Sequence, residues 1–204
     1  ILSYDGLAAI GSTSAFIQFF SSIFWGYGVG FSIYVARLFG AKEYKKLKTA
    51  VYVNYTLTML AILLLSIIAV IFQNQIFDML SVDPSIRKDT AIYFSIYMLG
   101  AVFLLMNSNG VYLMNSLGSG AYPLLMSIVS TVLHIFGNLF AVKCLGMGVG
   151  GIAVSTVLSA AVVDVLYFIE IKKCFKKMGV DTYKIKFEIK SLKSSLKYSL
   201  PAML

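Results

Sequence analysis

The sequence predicts an all-α, polytopic transmembrane helix bundle with five full spans and the start of a sixth. Three observations carry this expectation. Of the 204 residues, 59% are hydrophobic and 13% are charged, whereas an ordinary soluble domain is nearer ~45–50% apolar. Residues 6–36, 49–77 and 90–142 hold no formal charge, and about 20 apolar residues suffice to cross ~30 Å of hydrocarbon as a helix. The basic residues are gathered into two segments rather than spread along the chain.

The first span runs from about 7 to 36 and the second from about 49 to 72. Each is expected to be helical, because a helix satisfies its own backbone groups in lipid. The uncharged stretch 90–142 is 53 residues long, which as one helix would measure roughly 80 Å. It must therefore turn, and "GSGAYP" at 118–123 supplies two glycines and Pro123 for the purpose. That gives a third span at about 92–117 and a fourth at about 122–142. A fifth, about 149–171, follows the glycine-rich "GMGVGG" and contains Asp164. Residues 1–172 thus form the bundle, 173–197 a basic linker, and 198–204 the start of another span. Within the linker, Ile185, Phe187 and Ile189 alternate, and Leu192 and Leu196 have helical spacing. The chain lacks an initial Met and breaks off at "YSLPAML" as a new apolar run begins, so it reads as a fragment of a longer protein.

Lysine and arginine near span ends set orientation. Arg37, Lys42, Lys45, Lys46 and Lys48 lie in the first connection, and nine lysines lie between Glu170 and Lys197. The 73–90 connection has only Arg87 and Lys88 against three aspartates, and the 143–148 turn only Lys143. The two basic segments, 37–48 and 170–197, are therefore expected on the cytoplasmic side. Four spans separate them, the even number this requires. Fourteen of the seventeen basic residues then face anionic lipid, so the +8 charge calls for a bilayer and not for nucleic acid. Cys144 and Cys174 fall on opposite sides and are not expected to pair.

"WGYGVG", residues 25–30, shares letters with a potassium filter and with a dinucleotide-binding turn. The helix is expected to continue through it, and neither a pore loop nor a strand with a following acidic residue accompanies it. Gly26 and Gly30, four apart, instead suit close helix packing. Polar residues inside spans are costly and therefore informative. Ser127, Thr131, His134 and Asn138 share one face of the fourth span, with Ser130 beside them. Two readings stay open: a hydrogen-bonding seam, or a hydrated cavity in which His134 exchanges a proton, its reference pKa of about 6.5 suiting that role. Asp164 is either a proton or cation relay or a residue that reaches the interface or a nearby lysine. Gln18 lies on a polar face of the first span with Ser14 and Ser21 or Ser22, and the third span adds Asn107, Asn109 and Asn115. Several spans with one polar face each suggest an enclosed polar interior, as in a transporter. No metal-spaced ligand set or nucleophile constellation points to an enzyme or a cofactor.

The ordered segments "LAAIGSTSAF", "VARLFGAKEYKKLK", "NSLGSGAYPLLMSIVSTVLHIFGNLF" and "LGMGVGGIAVSTVLS" resemble the multidrug and toxic compound extrusion (MATE) transporters over nearly the whole chain. The resemblance implies half of a twelve-helix, two-lobe transporter in the plasma membrane, with its first helix and second lobe absent. It further implies export of small organic, often cationic, compounds against inward proton or sodium ions. Family members of prokaryotes join an Asp of the first helix to an Asn and an Asp on the fifth and a Thr on the sixth. By that comparison His134 stands at the Asn, Asn138 at the Asp, and Thr156 at the Thr. Asn138 cannot titrate, which departs from the pattern. The candidate substrate or cation site is accordingly His134, Asn138, Thr156, Asp164 and Gln18. A lipid-linked oligosaccharide flippase of the same superfamily is the rival reading, weakened by the lack of cationic residues within the spans. A channel is the more distant one.

Overall fold

The computed structural model describes residues 3–180 and 189–203, and all regular elements among them are helical. In order they are α1 (Tyr4–Ser12), α2 (Ser14–Gly40), α3 (Tyr44–Ile71), α4 (Gln73–Met79), α5 (Arg87–Ser116), α6 (Ala121–Leu139) with a π-helical turn (Phe140–Cys144), α7 (Gly148–Lys177) and α8 (Ile189–Met203). Five of the helical segments are long and apolar enough to cross a membrane. Large apolar side chains such as Leu64, Ile71, Leu124 and Phe136 point outward, as they must where the surrounding solvent is hydrocarbon.

The elements depart from the sequence expectation at three places. The first span is kinked at Thr13. There Ser12 Oγ, Thr13 Oγ1 and Ser14 Oγ each donate to the carbonyl three residues back, at 2.9, 3.5 and 2.7 Å. Three successive hydroxyls competing for backbone acceptors bend a helix that hydrophobicity alone would leave straight. The expected connection after residue 72 contains the short α4, whose Phe77 plugs the bundle at 1% exposure. The basic linker is partly helix, as the spacing of Leu192 and Leu196 suggests, but with other bounds: α7 continues to Lys177, and α8 begins at Ile189 rather than at 198. The alternation at Ile185 and Phe187 lies outside the described residues.

The turn between α5 and α6 is made at Gly118, whose φ of +76° suits glycine, with the Ser119 N–H donating to the Met114 carbonyl at 2.9 Å. Pro123 follows in the first turn of α6, where its missing N–H leaves no bond broken.

α5 is the hub, packing on α7 most extensively and on α2 and α3 besides. Two apolar layers result. One gathers Phe20, Phe24, Ile62, Phe77, Phe94 and Met98, and the other, at the lysine-rich end, gathers Phe31, Val35, Leu47, Leu113, Tyr167 and Phe175. Between them lies a waist of buried polar residues that includes Asn54, Thr58, Asn109, Ser155 and Ser159. α8 lies along α2. Tyr34 and Tyr198 stack at 5.7 Å, Arg37 donates to the Tyr198 hydroxyl, and Asn54 Nδ2 donates to Ser195 Oγ at 2.8 Å.

α2 runs unbroken through "WGYGVG". A Cβ at Gly30 would fall on the Ser199 backbone of α8, and one at Gly28 would sit 2.7 Å from both Asn109 Oδ1 and a Tyr112 ring carbon of α5. Gly26, a turn earlier than Gly30, is half-buried. Gly30→Leu is therefore expected to destabilise the protein by about 1–3 kcal/mol, read as a lower thermal midpoint in detergent. Val29→Leu, on the exposed face beside it, should change stability by less than about 0.5 kcal/mol.

Candidate functional site

Where α6 crosses α7, the close approach is set by a missing side chain. A Cβ at Gly137 would collide with Ser155 Oγ, so α6 touches α7 at that level, and the residues flanking Gly137 reach across. His134 Nε2 lies 2.8 Å from Thr156 Oγ1, and Asn138 Nδ2 lies 3.2 Å from the same ring nitrogen. Thr156 Oγ1 also reaches the Ile152 carbonyl, at 2.8 Å. The structure thus brings together His134, Asn138 and Thr156.

The hydrogen count at this junction is short by one, and that gives it two arrangements. If Nε2 carries the proton, it donates to Thr156, whose hydroxyl hydrogen stays on Ile152, and it offers Asn138 no lone pair. If Nε2 is bare, it can accept from the Asn138 amide, with Thr156 donating either to it or to Ile152. Asn138 Oδ1 is buried with no hydrogen-bond partner; an amide flip would present that oxygen to a protonated Nε2 instead. The two arrangements are available to the two tautomers of the neutral ring, and they differ in the orientation of the Asn138 amide.

The junction opens on a cavity of about 230 Å³ lined by Leu104, Asn107, Ser130, His134, Thr156 and Ser159, among others. Drug-sized ligands occupy ~300–1,000 Å³, so this space suits water and small ions more than cargo.

The polar stripe of α6 does not act as one unit. Ser130, His134 and Asn138 turn inward, whereas Ser127 and Thr131 are exposed and donate to carbonyls four residues back in their own helix, at 2.9 and 2.8 Å. These two bond within α6 even though that helix also meets α7 near its start, where the Tyr122 hydroxyl donates to the Leu166 carbonyl at 2.9 Å. Gln18 is exposed on α2, at the edge of the face that buries Ile17, Phe20 and Ser21, and lines none of this cavity. Asp164 lies eight residues beyond Thr156 on α7, about 12 Å along the axis, and is half-buried among other neighbours. Ser159, which lines the cavity, went unnoticed in the sequence, although its spacing of three from Thr156 puts it on a neighbouring part of the same face. Gly137 went unnoticed as well, since a lone glycine in an apolar run carries no pattern.

Because the chain contains a single histidine, its ring nitrogens give one resolvable set of signals in an ¹⁵N-histidine-labelled sample of this chain. Gly137→Val should separate α6 from α7 and shift those signals as Thr156→Val does. Gly120→Ala, with nothing nearer than Asn115 Oδ1 at 3.6 Å from the added carbon, should leave them in place.

Comparison with known proteins bears on the whole arrangement. The chain is 28% identical over 178 residues to the probable multidrug resistance protein YoeA of Bacillus subtilis, an alignment that covers 84% of this chain and 38% of that protein. Its fold matches an inward-facing multidrug resistance MATE family transporter of the MOP superfamily with a TM-score of 0.85 at 21% identity, over 98% of this chain and 46% of the other. An outward-facing structure of such a transporter matches with a TM-score of 0.86 at 22% identity, over 99% and 45%. The chain thus spans less than half the length of the relatives it matches. The MatE family model matches residues 1–140, which is more than half of the sequence, and the chain accordingly belongs to the MatE family.

Proposed function

We propose that this chain is the amino-terminal lobe, from its second helix onward, of a secondary active transporter that exports small organic compounds in exchange for protons or sodium ions. The observation that carries the reading is the His134, Asn138 and Thr156 junction, a protonatable group beside a small cavity in the waist of an otherwise apolar bundle. Buried ionisable and polar groups at membrane depth are expensive and mark ion or substrate pathways. The name of the Bacillus relative, a probable multidrug resistance protein, supports organic cargo. The volume of the waist cavity, about 230 Å³ and below the ~300–1,000 Å³ of drug-sized sites, supports a role there in handling the coupling ion.

Alternating access requires halves that keep their shape while rocking against one another. The near-equal fit to an inward-facing and an outward-facing structure, with TM-scores of 0.85 and 0.86, supports such a half. In the proposed orientation the ends carrying Arg37, Lys45, Lys46, Lys172 and Lys173 face the cytoplasm of a plasma-membrane protein.

Two measurements test this. In the full-length protein reconstituted in vesicles, His134→Ala should lower proton-driven efflux about tenfold, the equivalent of a hydrogen bond worth ~1.4 kcal/mol, with insertion unchanged. His134→Gln should keep the contacts to Thr156 and Asn138 yet stay as slow as Ala if the ring's proton matters; full recovery, pH dependence included, would leave His134 a packing residue. For orientation, in a variant whose free Cys144 and Cys174 are replaced, Lys45→Cys should react with an impermeant thiol reagent only from the inside. Ser85→Cys should react only from the outside, and the reverse pattern would overturn the topology.

A further inference from the structure

The lysine-rich end of the bundle carries a cavity of its own, apart from the waist. It has a volume of about 570 Å³ and lies where α8 meets α2 and the start of α3, within the ~300–1,000 Å³ range of small-molecule sites. Contacts at three levels fix its walls. The Ser199 backbone of α8 fills the space that a Cβ at Gly30 would need. Asn54 Nδ2 of α3 donates to Ser195 Oγ at 2.8 Å, and the rings of Tyr34 and Tyr198, which line the cavity, stack with centroids 5.7 Å apart.

The charge on these walls is one-sided. Among the described residues, Arg37 of α2, Lys46 of α3 and Lys197 of α8 line the cavity against one carboxylate, Glu43, just before α3. Lys46 already meets that carboxylate at 2.8 Å. No carboxylate among the described residues pairs with Arg37 or Lys197. Arg37 gives one of its five N–H groups to the Tyr198 hydroxyl, a bond that holds the guanidinium at the seam between α2 and α8. The packing of α8 on α2 thus brings two like charges to one space, and an anion between them would turn that repulsion into attraction.

A phosphate group matches the donors on offer. A guanidinium presents paired N–H groups to two phosphate oxygens, and a lysine ammonium adds a compact charge. Thr49 and Ser194 bring hydroxyls to the same cavity. An organic cation, by contrast, would meet three charges of its own sign. The surroundings also point to the source of the phosphate. Ile33 of α2 and Leu200 of α8 are 53% and 58% exposed and stand about one turn from Arg37 and Lys197, on the side away from the lysine-rich end. Acyl chains attached to a phosphate in the cavity have this apolar surface to run along, whereas a free phosphate ion leaves it unused. Basic pockets between membrane helices recur as sites for lipid headgroups.

We propose that this cavity binds a phosphate group, that of an anionic membrane phospholipid, which Arg37 and Lys197 clamp between α2 and α8. The lipid fastens α8 to α2, and its binding adds to the stability of that contact. The site needs no assumption about cargo or coupling ion.

The test uses the full-length protein in an uncharged detergent, with dioctanoyl phosphatidylglycerol as the probe and the thermal midpoint as the readout. The lipid should raise the midpoint in a saturable way. Dioctanoyl phosphatidylcholine, whose phosphate carries its own cation, should raise it far less. Arg37→Gln combined with Lys197→Gln should weaken the apparent affinity about tenfold or more. Lys176→Gln combined with Lys177→Gln removes the same charge from exposed positions on α7 at the same end and should weaken it less than about twofold. No response to phosphatidylglycerol, an equal response to both lipids, or an equal loss in both double variants overturns the proposal. If the variant without Arg37 does not fold, Lys197→Gln alone decides, because Lys197 is exposed and an unchanged affinity there overturns the proposal equally. Inorganic phosphate separates the two sources. At the same concentration it should leave the midpoint nearly unmoved, and a shift as large as the lipid's overturns the assignment to a phospholipid.

Discussion

Helix contacts made where a side chain is missing hold this fold together. In hydrocarbon, a helix gains little by burying leucines against another helix, because lipid tails serve as well; association depends on how closely backbones approach and on polar groups that can bond across the gap. The crossings of α5 with α7, of α2 with α5 and α8, and of α6 with α7 show this solution, whereas α3 brings no glycine to α5. On α5, a Cβ at Gly100 would collide with Val157 and one at Gly110 would press on the Tyr167 ring. α2 offers Gly28 to α5 and Gly30 to α8, and α6 offers Gly137 to α7. The polar groups nearby then close the gap: Trp25 Nε1 donates to Ser108 Oγ at 3.2 Å, Ser116 Oγ donates to the Ser32 carbonyl at 3.0 Å, and Tyr27 donates to Asn54.

The candidate site is a by-product of the same constraint. His134, Asn138 and Thr156 meet because Gly137 and Ser155 allow α6 and α7 to touch one turn away. Elsewhere α6 is the least enclosed of the spans, and its other polar residues turn back on their own carbonyls. The chemistry is thus confined to a short stretch where two helices cross, with apolar layers on either side to keep the waist from being flooded along the whole bundle.

Much of this was legible in the residues. Charge-free runs marked the spans, glycines with Pro123 marked the α5–α6 turn, and a spacing of four put His134 and Asn138 on one face. Thr156 was not visible in any spacing and came from family resemblance. Features decided by tertiary contact stayed hidden. Nothing about Gly137 distinguishes it from Gly11 or Gly40, which face open space. "WGYGVG" was read through Gly26 and Gly30, a single four-residue period, whereas the helix uses two of its faces, with Gly28 toward α5 and Gly30 toward α8. The kink at Thr13 and the π-helical turn at Phe140–Cys144 depend on local backbone bonding, to which hydrophobic periodicity is blind. Gln18 shows the opposite error: polarity at a plausible spacing does not say which way a residue faces when the neighbouring helices are unknown.

α7 is uninterrupted from Gly148 to Lys177 and carries both Thr156 and Asp164. Eight residues turn an α-helix through two full revolutions and about 80° more, so the two residues stand on different sides of the same helix. An unbroken helix is stiff to torsion, and any roll of this axle about its length must move both residues against their surroundings at once. The two positions are therefore carried by a single rod.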